Sequence, residues 1–344
     1  MSFCGARVLV TGGAGFIGSH LVDRLLELDA EVVVADDFST GHETNLAHHA
    51  GNNRLKVERA DVRDEPAMMR LAEGVGHVFH MATRSVRLSL KQPTVVHEVN
   101  TTGTLNVLKA AAAAKAHRFV YCSSSEVYGT AGVVPQPEEY DFRPETIYGA
   151  SKLTGEYYTQ VFHRAGWLQT VVARPHNNYG PREHYRGRAG EVIPRFILWC
   201  LAGKPPIIYG DGHQTRDFTY VLETADILAT LALHDAAPGE VFNVCRGQEV
   251  SILALAEKIC RLTSVSVAPR FLPGRPSDVL RLWGDARKLE RTIGRKPELS
   301  IDEGLARTID WFRNHVPLSD DVLQNLSPQN WEGEEGAEAW MAMQ

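Results

Sequence analysis

The stretch from Ala6 to Asp37, ARVLVTGGAGFIGSHLVDRLLELDAEVVVADD, narrows the folds open to this 344-residue chain more than any other segment. RVLV is a short apolar run of strand type, ended by a glycine cluster. Beyond it Ile17, Leu21, Val22, Leu25, Leu26 and Leu28 recur at helical spacing, and EVVVAD follows as a second β-branched run. Strand, glycine turn, helix and strand in that order predict a βαβ unit with Gly12, Gly15 and Gly18 in its first turn. Glycines there permit a tight turn and let a pyrophosphate approach backbone N–H groups at the helix start, where the helix dipole favours an anion. Asp36 ends the second strand, 18 residues beyond Gly18. A carboxylate at that place accepts both ribose hydroxyls and repels a 2′-phosphate, so the expected dinucleotide is NAD rather than NADP.

The alternation continues. LKVERADV, HVFHMA and RFVYCSS are strand-like, and the alanine-rich TLNVLKAAAAAKA forms a helix between the last two. Repeated βα units predict an α/β fold: a Rossmann-type, doubly wound parallel sheet with helices on both faces, followed by a smaller C-terminal substrate-binding part. Ligands in such sheets sit beyond the carboxyl ends of strands. Asp61, Met81 to Thr83 and Ser123 to Ser125 are therefore expected to line one crevice. The expected division is 1–175 for the cofactor, 176–316 for substrate and 317–344 as an acidic tail, with later strands such as EVFNVC returning to the first part.

Composition removes several partners. The net charge is −6, and the segment from Pro317 to Gln344 holds six acids with no Lys or Arg, so the body is neutral overall. A neutral body argues against a nucleic-acid groove or a membrane surface. The five cysteines are odd in number and scattered, and read as buried thiols in a reducing, cytoplasmic setting. His80, His176 and His213 lack metal-ligand spacing, so no metal is expected. The tail, with Trp331 and Trp340, reads as a loosely ordered extension.

YCSSSEVYG, residues 121–129, places three serines and Glu126 where a strand should close into a turn. Twenty-four residues beyond Ser124 comes YGASK, with Tyr148 and Lys152 at i and i+4 and so on one helix face. An ammonium near a phenol stabilises the phenolate, which would let Tyr148 act as a general base below its reference pKa of ~10. Alone, such a pair is most often an ordinary exposed helix face; beside a dinucleotide turn and a serine-rich strand end it points to chemistry.

Taken together, GGAGFIG, Asp36, SSSEVYG, the Tyr148–Lys152 pair and HNNYGPR resemble the extended short-chain dehydrogenase/reductase family of nucleotide-sugar epimerases and dehydratases, over roughly residues 6 to 315. The resemblance implies a cofactor set of Gly12, Gly15, Phe16, Ile17, Gly18, Asp36, Asp37, Ser39, Asp61, Val62, Met81, Ala82, Thr83, Asn100, Tyr148 and Lys152. It implies that Tyr148 removes a sugar hydroxyl proton, usually at C4, while hydride passes to NAD. Lys152 would hold the nicotinamide ribose, Ser124 would bond the same sugar oxygen, and Asn100 would brace the site. For the nucleotide sugar it implies Ser124, Ser125, Arg87, Asn177, Val192, Arg216, Arg275 and Asp278, with Arg87 and Arg182 matched by weaker motifs. A homodimer packed through helices around 101–116 and 148–164 is implied as well.

Members of this family begin alike, making a 4-keto sugar, and then diverge. A 4-epimerase needs no further acid or base. A 4,6-dehydratase typically carries adjacent Asp and Glu after the catalytic Ser or Thr, and a uronic-acid decarboxylase keeps Glu after Ser. Here the pair is Ser125–Glu126. A serine donates a proton to a leaving hydroxyl less readily than a carboxylic acid does. The expectation is therefore a UDP-hexose 4-epimerase. The alternatives are a 4,6-dehydratase or UDP-glucuronate decarboxylase using Glu126, and a non-catalytic NAD or nucleotide-sugar sensor.

Overall fold

The computed structural model describes residues 2–130, 132–187, 190–274, 279–324 and 326. The opening βαβ unit forms as expected. Strand β1 (Arg7–Thr11), helix α1 (Phe16–Glu27) and strand β2 (Glu31–Asp36) are followed by β3 (Leu55–Arg59), α2 (Glu65–Ala72) and β4 (His77–His80). Two short helices, α3 (Val86–Ser89) and α4 (Pro93–His97), lead through a π-helical turn at Glu98–Gly103 into α5 (Thr104–Ala113). Then come β5 (Arg118–Cys122), α6 (Ile147–Arg164), β6 (Thr170–Pro175), α7 (Val192–Leu201) and α8 (Val221–Leu233).

The strands run parallel in the order β3-β2-β1-β4-β5-β6, and a seventh, Val241–Val244, pairs with β6. The direction of winding reverses between β1 and β4, which opens a crevice beyond the carboxyl end of β1. Burial on both faces explains the apolar runs inside β1, β2, β4, β5 and β6, whereas β3 (LKVER), at the sheet edge, is largely exposed. In β1, Val8 and Val10 pack on one face with Leu21, Leu25 and Leu228, while Leu9 packs on the other with Met68, Val107 and Phe162. A separate core of Ile193, Phe196, Ile208, Leu255, Leu305 and Phe312 lies in the later part of the chain.

The seventh strand lies within EVFNVC, the segment expected to return to the cofactor part, and it pairs with β6. One feature differs from expectation. The segment after Pro317, expected to be loose, forms a helical turn at Asp320–Gln324, and Val322 and Leu326 are buried in the later core. Their i, i+4 spacing gives that short piece an apolar side to dock. Trp331 and Trp340 lie outside the described residues.

Behind β5 and β6 sits a buried polar network. Arg174 donates to both carboxylate oxygens of Glu156, at 2.8 and 2.6 Å, and also to the Tyr128 hydroxyl at 2.7 Å. Ser123 donates to Glu156 at 2.5 Å, and Tyr128 donates to Asn243 at 2.7 Å. The Arg174 and Glu156 side chains are each 1% exposed. Removing one partner of so buried a pair leaves an uncompensated charge, which outweighs any gain from relieved desolvation. Glu156→Gln is expected to destabilise the fold by about 3–5 kcal/mol, read from urea unfolding; a loss below ~1 kcal/mol would mean that the network is incidental.

Candidate active site

The dinucleotide turn is shaped by close backbone approach. Gly12 has φ +69°, and a Cβ there would lie 2.7 Å from the backbone of Ala82, in the loop after β4. At Gly18 a Cβ would meet the Gly12 carbonyl. Gly15 is the N-cap of α1 and no side chain caps that helix, so its first N–H groups can serve an anion. Asp36 accepts from Ala14 N at 2.9 Å and Phe38 N at 2.8 Å. Burial is the first cause that raises its carboxyl above the usual range, against the two backbone donors. Gly41 keeps the space beside this carboxylate clear, since a Cβ would sit 2.9 Å from its oxygens. Glycine turn, uncapped helix start and a strand-end carboxylate fit NAD.

Asp37 and Ser39 turn towards each other, with the Ser39 hydroxyl donating to Asp37 at 2.6 Å. Asp61 is engaged by Arg63, whose hydrogen bond holds the carboxyl below the usual range. Met81 N donates to Thr11 O, and Ala82 N reaches Thr11 Oγ1, which brings the β4 loop over β1. Asn100 braces this loop: its Oδ1 accepts from Arg84 N at 2.8 Å and from the Thr83 hydroxyl, while its Nδ2 donates to Ser151 on α6 at 3.0 Å. Val62 is buried beneath.

Ser124 caps a 3₁₀ turn, Ser125–Val127, by accepting from Glu126 N at 3.2 Å. That turn answers why polar residues close strand β5: they hold its end open towards α6. The Ser124 hydroxyl faces the Tyr148 phenol closely enough to pull its pKa down. Lys152, one turn further along α6 and 2% exposed, donates from Nζ to the Cys122 carbonyl at 2.5 Å and lies 4.8 Å from the centre of the Tyr121 ring. The electrostatics correct the expectation of a lowered phenol. Burial pushes Tyr148 above its ordinary value; Ser124 opposes this, and Glu126 and Glu191 add to the rise. The Lys152 ammonium donates to a backbone carbonyl, and burial pushes it down to about 8.

The substrate-side residues are less uniform. Asn177 carries a buried side-chain oxygen with no hydrogen-bond partner, an acceptor available to a ligand. Val192 opens α7. Arg216 donates to the carbonyls of Thr215 and Val279. Arg87 is gripped by Glu191 through two bonds of 2.8 and 2.9 Å, so it faces a carboxylate rather than standing ready for a phosphate. Arg182 is drawn to Asp23 at 2.5 Å, where His48 and His49 also converge. That Asp23–His48–His49 group is the one cluster among the described residues with metal-like spacing, and Arg182 already balances its carboxylate. Arg275 and Asp278 lie outside the described residues. Sequence reasoning missed Glu191 and the Glu156–Arg174 pair; Glu156 alone carried a signal, as the next i+4 step after Tyr148 and Lys152.

Residues 8–245 match the NAD dependent epimerase/dehydratase family. The UDP-glucose 4-epimerase of Mycolicibacterium smegmatis is 36% identical over 90% of this chain and 99% of that protein. UDP-glucuronic acid decarboxylase 1 of Arabidopsis thaliana is 35% identical over 93% of this chain and 72% of that protein. The dTDP-glucose 4,6-dehydratase DesIV of Streptomyces venezuelae, solved with NAD bound, superposes with a TM-score of 0.84 at 33% identity, covering 91% of this chain and 100% of that one. The chain belongs to the NAD-dependent epimerase/dehydratase family of enzymes.

Proposed function

We propose that this enzyme is an NAD-dependent nucleotide-sugar 4-epimerase of the UDP-hexose type, working through a transient 4-keto sugar. The observation that carries the reading is the convergence of Ser124, at the carboxyl end of β5, with Tyr148 and Lys152 one turn apart on α6. NAD supplies a reversible hydride acceptor for C4. Tyr148 takes the C4 hydroxyl proton and later returns it, and Ser124 holds the same oxygen. Lys152 steadies the nicotinamide side of the site, while Gly12, Gly15, Asp36 and the β4 loop hold the rest of the dinucleotide. Asn177, Arg216 and Val192, with Arg275 and Asp278, take the nucleoside diphosphate. In this division of labour, residues 1–175 with the returning strand serve NAD and 176–316 serve the nucleotide sugar.

Elimination from the keto sugar is the competing reading. Glu126 favours it, because its charge is felt at the phenol. Ser125 stands against a dehydratase, where an acid is needed to protonate the leaving hydroxyl.

A second copy of the chain is proposed to pack on α6, where Ile147, Tyr157 and Val161 are exposed along the helix. Five free thiols and no membrane-length apolar helix among the described residues support a cytoplasmic setting.

Three measurements test these statements. With UDP-, GDP- and dTDP-hexoses, the expected product has unchanged mass and inverted C4, and Glu126→Gln keeps partial activity; loss of water or carbon dioxide, or abolition by that variant, would favour elimination. Val161→Glu is expected to turn a dimer into monomers in sedimentation, and a wild-type monomer would end the dimer proposal. Lys152 has a folded value of about 8, below that of ordinary lysine. Between pH 8 and the unfolded value of ~10.5 the unfolded chain binds the extra proton, so stability rises with pH across that window. Lys152→Met should remove this slope and be more stable than wild type at pH 7 by up to about 3 kcal/mol; parallel pH profiles for the two proteins would refute the assignment.

A further inference from the structure

We propose that Arg84 is a cofactor-positioning residue: with Asp37 it forms an ionic strap across the dinucleotide crevice that sets how slowly NAD leaves. The role rests on NAD use and is independent of whether the keto sugar is epimerised or eliminated.

Topology carries the first step. Asp37 follows β2, Arg84 follows β4, and those strands flank β1 on opposite sides. The ion pair between Arg84 Nη2 and Asp37 Oδ2, at 2.6 Å, therefore bridges the carboxyl end of β1, where the glycine turn receives the pyrophosphate. Both ends are anchored. Arg84 N donates to Asn100 Oδ1 at 2.8 Å and Arg84 O accepts from Asn100 Nδ2 at 3.2 Å. Asp37 Oδ1 accepts from Ser39 N at 3.0 Å and from Ser39 Oγ at 2.6 Å. Asn100 also binds Ser151, which lies between Tyr148 and Lys152 on α6. The strap is thus joined to the helix that carries the phenol.

Charge carries the second step. Asp36, Asp37 and Asp61 gather at the adenosine end, where the doubly negative pyrophosphate must also approach. Arg84 acts electrostatically on all three carboxylates. A solvated surface pair would be worth little. Arg84 is only 9% exposed, however, and its side chain and that of Asp37 are 11% and 30% exposed. Opening this strap to let a dinucleotide out separates a largely desolvated pair, so the cost falls on the rate of release.

The test follows NAD without any sugar. NAD-loaded wild type, Arg84→Ala, Arg84→Lys, Asp37→Asn and the Arg84→Ala/Asp37→Asn double variant are gel-filtered, and bound NAD and its dissociation rate are measured against an NAD scavenger. Arg84→Ala is expected to release NAD about tenfold faster, Arg84→Lys at an intermediate rate, and the double variant no faster than Arg84→Ala. NAD should raise the melting temperature of Arg84→Ala less than that of wild type, each measured against its own NAD-free protein. Wild-type release from Arg84→Ala, or additive effects of Arg84→Ala and Asp37→Asn, would overturn the strap. A drop in NAD-free melting temperature with unchanged release would make Arg84 merely structural and overturn it too. A wild type that holds no NAD would instead remove the cofactor reading itself.

Discussion

Tyr148, Lys152 and Glu156 follow one another at four-residue steps on α6, and the third of them fixes where the first two point. Glu156 is clamped by Arg174 from β6 and by Ser123 from the end of β5. A carboxylate so deeply buried is tolerable only because a guanidinium and a hydroxyl satisfy it. Once they do, the helix can neither rotate nor slide against the two strands. Ser124, the neighbour of Ser123, is then delivered to the Tyr148 phenol. Arg174 extends the same grip to Tyr128 and, through it, to Asn243 on the last strand. The polar network behind the sheet is therefore what gives the reacting groups their geometry.

Electrostatics in the protein alone run against proton removal. Burial raises the phenol and lowers the ammonium, and the nearby carboxylates Glu126 and Glu191 push the phenol further the same way. Ser124 opposes this rise and does not prevail against burial. The unliganded enzyme holds a protonated tyrosine. A ready base thus depends on charge that arrives with the ligands, and this keeps the chemistry tied to occupancy of the crevice.

Legibility in the sequence followed the range of the interactions involved. The βαβ unit, the parallel sheet and the i, i+4 placement of Tyr148 and Lys152 on one helix rest on local periodicity and short motifs, which a linear reading can see. The Arg87–Glu191 pair joins residues 104 positions apart, and Arg84–Asp37 joins residues 47 apart. Nothing in local spacing announces either. The direction of the Tyr148 shift was missed for a related reason: i, i+4 spacing puts Lys152 on the right face, but burial of the phenol decides the direction. The docking of Val322 and Leu326 was obscured by the acids and glycines that follow them.

The seventh strand has a consequence for biosynthesis. Val241–Val244 completes the sheet beside β6, and α8, which precedes it, covers α1 on one face. A nascent chain that has emerged only as far as β6 therefore presents an open strand edge and an uncovered apolar helix. Some seventy further residues must leave the ribosome before both are shielded, which makes the interval between them the stretch of synthesis during which this chain most needs protection from self-association.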